Sequence, residues 1–289
     1  MYAAIEQIAI GEGGAVSAIC DVLSVSRSGF YAWQFRGLSA RDARDEELTP
    51  MIREIFHRHR RRYGARRIAF ELSQRGESCG VARVAKLLET QGLRAIQPKS
   101  FKPRTTNSRH RLGYSPNLLR DRAAPRRIDE VWVGDITYIP LRGGRFGYLS
   151  VLMDLHSRRI VGWAYQESMT DALVLASLRK AIASRQPPAG LIHHSDRGGQ
   201  YASTEYRNVL RRAGMRQSMS DAESCYDNAF MESCFGTLKT ELELTEYLDS
   251  LEAVCELSSY MSYYNRDRRH SSLGYLTPAE FEEQPTVPI

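Results

Sequence analysis

The stretch V-W-V-G-D-I-T-Y-I, residues 131 to 139, constrains the fold more than any other part of the chain. Its β-branched and aromatic residues alternate, so Val131, Val133, Asp135, Thr137 and Ile139 share one face of an expected strand. A carboxylate in such a run is costly if buried alone, so Asp135 calls for a cation or hydrogen-bonding partners. Gly143-Gly144 then marks a turn. Phe146 to Met153 and Arg159 to Tyr165 read as two more strands joined at Asp154 to Arg158. Helices over 172–182 and 204–212 alternate with a strand ending at Asp196 and a short strand over 215–219. A meander of three strands followed by alternating helices and strands predicts a mixed α/β sheet.

In L-I-H-H-S-D-R-G-G-Q-Y, an apolar pair runs into a polar cluster before two glycines. This reads as a strand delivering Asp196 to its carboxyl end, at a sheet edge facing solvent. Beyond thirty-five intervening residues comes Glu232. Phe230, Phe235, Leu238 and Leu242, with Asp227 as the cap, make its surroundings an amphipathic helix with Glu232, Gly236 and Lys239 on one face. Glycine there weakens the helix, which makes sense if something approaches its backbone closely. Carboxylates from a strand middle, a strand end and a helix could hold two divalent cations roughly 3.5–4 Å apart, an arrangement suited to in-line displacement at phosphorus. Oxygen-only ligands favour Mg²⁺ or Mn²⁺ over zinc. Asp154 also follows an apolar strand, but Leu155-His156-Ser157 lead into a returning strand, so it reads as a turn residue. His193 and His194 lack zinc-spaced partners and read as structural or hydrogen-bonding, with His194 nearer the site. Trp132 and Trp163 read as core.

The 289 residues allow about two domains. No long apolar run offers a membrane span, and M-Y-A-A-I-E-Q-I-A-I lacks the basic start of a signal peptide, so the expected location is cytoplasmic. Five widely spaced cysteines support neither a disulfide framework nor a zinc site. Net charge is only +6, yet residues 53 to 127 hold twenty Lys plus Arg against five Asp plus Glu. That local excess calls for an anionic partner, and nucleic acid is the natural one. Val16, Ile19, Cys20 and Leu23, a break at Ser24 to Ser26, then Phe30, Tyr31 and Trp33 fit two short helices with a tight turn, although any helical hairpin core would look alike. A helix through Leu48, Ile52, Ile55 and Phe56 leads into H-R-H-R-R-R at 57–62. Ala65, Ile68, Ala69 and Leu72, ended by Gly76, and Val81, Val84, Leu87 and Leu88, ended by Gly92, form a second candidate helix-turn-helix. The expected organisation is a helical region over 1–96, a basic, proline-containing linker over 97–127, and a catalytic core with a C-terminal helical segment over 128–289.

The segments D-I-T-Y-I, H-S-D-R-G-G-Q-Y, S-C-Y-D-N-A-F-M-E-S-C-F-G-T-L-K-T-E and Y-N-R-D-R-R-H-S-S-L-G-Y-L-T-P-A-E resemble the OrfB product of bacterial insertion sequences of the IS-three family. The resemblance covers nearly the whole chain. It implies a DDE transposase with a ribonuclease H-like, integrase-type core preceded by an all-α region. Asp135, Asp196 and Glu232 would then be the catalytic and metal-binding triad, served by two Mg²⁺ or Mn²⁺ ions, with Lys239 as a DNA contact. Arg62, Arg66 and Arg67, in and beside Y-G-A-R-R-I, and Arg266, Arg269 and His270 are further expected DNA contacts. The implied partners are transposon terminal inverted repeats, target DNA, further copies of the chain, and an upstream OrfA-type product or frameshift fusion, in the bacterial nucleoid. Asp221-Ala222-Glu223-Ser224 departs from the basic or glycine residues common in relatives. Rival readings are a nuclease of ribonuclease H type, a non-catalytic DNA-binding regulator and, from Tyr263, Tyr264, Arg266, Arg268, Arg269 and His270, a metal-free tyrosine recombinase.

Overall fold

The computed structural model describes residues 1–12, 15–97, 113–120, 122–221, 229–243 and 246–284. It divides into two compact units, Met1–Arg94 and Ala95–Ile289. Among the described residues, no helix is long and apolar enough to cross a membrane.

The first unit is all helical. α1 (Tyr2–Glu12), α2 (Val16–Val22) and α3 (Arg27–Gln34) meet around buried Ile5, Cys20 and Phe30. Ser26 caps α3, its Oγ accepting the Gly29 N–H at 3.2 Å, as the sequence leads one to expect. α4 (Ala40–Arg58), α5 (Ala65–Gln74) and α6 (Val81–Thr90) turn the predicted apolar faces inward: Leu48, Ile52 and Ile55 from α4, Ile68 and Leu72 from α5, and Val84 from α6 are all at 0% exposure. Gly76 and Gly92, which follow α5 and α6, have φ of 81° and 67°, conformations that glycine adopts without cost.

The second unit is built on a five-stranded sheet of order β3-β2-β1-β4-β5. β1 (Val131–Leu141), β2 (Arg145–Asp154) and β3 (Ile160–Gln166) form the antiparallel meander, while β4 (Ile192–Ser195) and β5 (Arg216–Met219) run parallel to β1. The alternation in β1 divides its side chains between two cores. Val131, Val133 and Ile139 join α10 (Ala229–Glu241) and α11 (Ser250–Arg266), which supply Met231, Phe235, Leu238, Leu257 and Tyr260. Trp132 faces the other way, with residues of α7 (Asp171–Arg185), α8 (Gly199–Ala202) and α9 (Thr204–Arg212). α7 lies so close on β3 that a Cβ at Gly162 would stand 2.4 Å from the Ser177 carbonyl oxygen.

The short helix α12 (Pro278–Glu283) is held by a buried ion network. Glu282 accepts from Arg159 at 2.6 Å, Arg185 at 2.7 Å and Ser157 at 2.7 Å, and Arg185 also binds Asp129 at 2.7 Å. Removing one partner from such a network leaves a desolvated charge, which is why it fixes register so firmly.

Two expectations need correction. β4 lies between β1 and β5, so Asp196 stands at the end of an interior strand and is half-buried, not at a solvent-facing sheet edge. Where the sequence suggests linker through residue 127, Leu118 and Leu119 pack on the core and the Leu118 N–H donates to Ser218 Oγ at 2.9 Å. Arg120 also pairs with Asp221 at 2.6 Å. The prolines and arginines hide those two apolar anchors, and the strand β5 they dock on is only four residues long. Residues 98–112 and 121 of that stretch lie outside the described residues.

Candidate active site

β1 and β4 are parallel neighbours in a register that sets Gly134 opposite Ser195, so the next residues, Asp135 and Asp196, come abreast. Both carboxylates are half-buried. Asp135 Oδ1 accepts the Ile136 N–H at 2.7 Å, and Asp196 Oδ1 accepts the Gly198 N–H at 2.9 Å. A Cβ at Gly198 would stand 3.0 Å from Asp196 Oδ1, a tight approach. Two like charges side by side repel, and a cation placed between them would relieve that repulsion.

Beneath the pair lies a buried aromatic group. Tyr201 and Tyr206 meet edge to face at 5.4 Å, and the Tyr206 hydroxyl lies 2.9 Å from His193 Nε2. Burial above all, with help from Tyr206, Asp135 and Asp196, pushes the Tyr201 pKa well up, so its hydroxyl stays protonated. Burial, reinforced by His194, lowers the His193 pKa to about 3, which keeps the ring neutral. His194 Nδ1 lies 2.8 Å from Ser218 Oγ. Both histidines thus serve the sheet, as the absence of zinc-spaced partners in the sequence implies.

α10 lies over the Asp135 face. Its inward stripe is Met231, Cys234, Phe235, Leu238 and Glu241, and Glu232 is exposed. Lys239 is half-buried; burial lowers its pKa, while the Asp135 carboxylate acts to raise it, which places the amine in the field of that aspartate. Gly236 is exposed, and a Cβ there would meet nothing within 4 Å, so the fold does not itself require this glycine. Among the described residues no three His, Cys, Asp or Glu side chains stand close enough to hold a metal. The structure brings Asp135 and Asp196 together with Lys239 nearby, and does not close Glu232 onto them.

Two arginines fix α10 in a role that nothing local in the sequence singles out. Arg158 lies over the Phe230 ring at 4.1 Å, near the start of the helix. At its end, Arg268 clasps buried Glu241 through Nε at 2.9 and 3.0 Å and Nη2 at 2.8 Å, and the Tyr260 hydroxyl donates to Glu241 at 3.0 Å. The one signal in the sequence is Glu241 itself, a carboxylate three residues past Leu238 on an otherwise apolar stripe.

The expected DNA contacts fare differently. Arg66 and Arg266 are exposed. Arg62 and Arg67 are half-buried, and Arg67 donates to the Arg62 carbonyl at 3.3 Å. Arg269 bonds Glu280. His270 is buried edge-on to Tyr264 at 4.7 Å, so its ring packs the core and is not presented to solvent. Asp154, the alternative strand-end carboxylate, caps the turn at 155–157 as expected: it accepts the amides of His156, Ser157 and Asp129 at 2.9, 2.8 and 2.6 Å. Asp221 is held by Asn117 and Arg120, with Arg197 at 3.6 Å, so its departure from the family pattern carries no unbalanced charge. Glu223, Cys225 and Asp227 lie outside the described residues.

Comparison with known proteins matches Integrase core domain families over residues 125–225 and 213–278, and an HTH-like domain family over 43–101. The chain is 42% identical over 268 residues to the insertion element IS600 uncharacterized 31 kDa protein of Shigella sonnei, covering 92% of this chain and 98% of that one. It is 39% identical over 273 residues to the transposase InsF for insertion sequence IS3A of Escherichia coli, covering 93% and 94%. Among solved structures, the simian T-cell lymphotropic virus intasome in complex with a PP2A regulatory subunit aligns at 18% identity and TM-score 0.46 over 76% of this chain and 72% of that chain. On the strength of the two insertion-element relatives, this chain belongs to the IS3-family transposases, with an HTH-like region ahead of an integrase core.

Proposed function

We propose that the chain is a Mg²⁺-dependent DDE transposase that cleaves the transposon end and joins the freed 3′-hydroxyl to a second phosphodiester. The observation that carries this reading is the pair Asp135 and Asp196, abreast at adjoining positions of two parallel strands, with Lys239 in the field of Asp135. The donor set fits a hard divalent cation, because it offers only carboxylate oxygens and carries two like charges that need neutralising. Asp135, Asp196 and Glu232 would hold Mg²⁺ or Mn²⁺, two ions in the full site, with α10 delivering the third carboxylate. Bound there, the ions supply Lewis acidity toward the phosphodiester and activation of the attacking oxygen.

The chain's own residues do the rest. The Asp135 and Asp196 side chains are oriented by the amides of Ile136 and Gly198. Neutral His193 and protonated Tyr201 make the floor unreactive. Lys239 offers an ammonium to a DNA phosphate, and the open space above Gly236 lets the duplex come close to α10. The first unit, with Arg62, Arg66 and Arg67, would hold DNA, and Arg266 and Arg269 would contact it near the core. The partners on this reading are terminal inverted repeats and target DNA, other copies of the chain, and an upstream OrfA-type product, in the bacterial cytoplasm. The test is strand transfer by the purified chain on oligonucleotides taken from the ends of its own element. Joined product in Mg²⁺ supports the reading. Cutting without joining favours a nuclease, binding indifferent to Mg²⁺ favours a regulator, and joining that survives EDTA favours a metal-free recombinase.

A further inference from the structure

The turn between α4 and α5 presents arginines on a backbone that a side chain resists. Arg60 and Arg61 both lie in the left-handed region, at φ 48° and 63°. Non-glycine residues seldom occupy it, and two in succession are rarer still. Both side chains are exposed. The turn is held from within: the rings of His59 and Tyr63, buried at 4% and 0%, stack at 3.7 Å and 7° across it. Arg67 lies over the far side of this staple, 5.4 Å from the Tyr63 ring centre. The backbone amides of Arg60, Arg61 and Arg62 donate to the carbonyls of His57, Phe56 and His59 at 2.8, 3.0 and 2.9 Å, so the strained path is fully hydrogen-bonded. Glycine would take this path without strain, and arginine is what the sequence places there.

The run itself is basic. Residues 57–67 contain six arginines and no acidic residue. α5 also begins at Gly64 without a side-chain cap, so its first-turn amides add positive potential on the same turn. Strain that persists in a well-packed turn is characteristic of a functional site. We infer that the Arg60–Arg61 turn is a preformed clamp for the phosphodiester backbone of duplex DNA, fixed by the His59–Tyr63 stack so that little side-chain and backbone freedom is lost on binding. The clamp reads charge and spacing and not bases, since two arginines on a turn of fixed geometry meet adjoining phosphates. This rests on the reading of the first unit as DNA-binding and goes further in naming the contact.

The signature of such a clamp is a trade of stability against affinity, which a solvated surface turn would not show. The experiment compares the full chain with the double variant Arg60→Gly, Arg61→Gly and with Arg60→Lys, Arg61→Lys, using a short random-sequence DNA duplex as probe. Fluorescence anisotropy at several salt concentrations gives affinity and the slope of log affinity against log salt, and calorimetry gives melting. The glycine pair is expected to melt a few degrees higher, as the strain is relieved. It should bind roughly tenfold more weakly, with a salt slope reduced by about two, near 0.9 for each phosphate that is no longer neutralised. The lysine pair should keep the slope. Unchanged affinity and slope in the glycine pair, with the wild-type chain binding normally, would overturn the clamp. A wild-type chain that does not bind the duplex would overturn the DNA reading beneath it, and a lower melting temperature for the glycine pair would overturn the strain argument.

Discussion

Asp154 and Asp196 both end an apolar strand, and in sequence they look alike. The fold sends them in opposite directions. β2 runs antiparallel to β1 and pairs Asp154 with Trp132, near the beginning of β1, whereas β4 runs parallel to β1 and delivers Asp196 level with Asp135. Asp154 is completely buried and occupied by three backbone amides and the Ser157 hydroxyl. Burial raises its pKa while those hydrogen bonds act to lower it. Asp196 is half-buried beside a second carboxylate. A strand-end aspartate is therefore structural or chemical according to strand direction, which decides the neighbour it meets.

The largest difference should appear in activity. Asp135→Asn, Asp196→Asn and Glu232→Gln each remove, at constant volume, a carboxylate proposed to ligate the metal, and are expected to lower strand transfer about a thousandfold or more while leaving the fold intact. Asp154→Asn should leave strand transfer per folded molecule nearly unchanged. Near-normal joining by any of the first three would remove that residue from the site.

Next comes Glu241, a third carboxylate in apolar surroundings, whose charge belongs to structure. Arg268→Met strands it without its partner and should cost about 3–5 kcal/mol in urea unfolding. A loss below about 1 kcal/mol would mean that the clasp on α10 is dispensable. Asp154→Ala should follow at about 3 kcal/mol, since three amides lose their acceptor at roughly 1 kcal/mol each. Unaltered stability would show that these hydrogen bonds are dispensable.

The smallest effect is a pH slope. His193 has its pKa lowered from 6.5 to about 3 in the folded chain. Between those values the unfolded chain holds a proton that the folded chain does not. Stability is thus complete above the unfolded pKa and falls as pH drops through this window, by up to about 1.4 kcal/mol per pH unit. His193→Gln, followed by urea midpoints near pH 7 and near pH 5, should flatten that fall by about one proton; an unchanged slope would place the proton elsewhere.

Much of this is legible in the residues because periodicity and turn chemistry report on burial directly. The alternation from Val131 to Ile139 marks the strand and the face it turns to α10, and Gly76 and Gly92 mark the ends of α5 and α6. The turn after Asp154 is readable from Leu155-His156-Ser157. What stays hidden is charge that folds inward. Arg268 and His270 sit in a run that looks like a solvated basic face, yet both are only 6% exposed, because Glu241 on α10 takes Arg268 and the His270 ring turns back onto Tyr264 of α11. Such pairings are set by tertiary approach and leave no local period. The docking of Leu118 and Leu119 is hidden for a similar reason, two apolar residues among prolines and arginines giving no repeat to detect.

On the proposed function, Asp196, and not Asp154, shares a divalent cation with Asp135. The direct measurement is Mn²⁺ titration of the full chain, followed by electron paramagnetic resonance, for the wild type, Asp196→Asn and Asp154→Asn. Mn²⁺ should bind the wild type and Asp154→Asn alike, and bind Asp196→Asn at least about tenfold more weakly, the loss expected when one charged ligand goes. Equal binding by Asp196→Asn and the wild type, or a loss confined to Asp154→Asn, would contradict it.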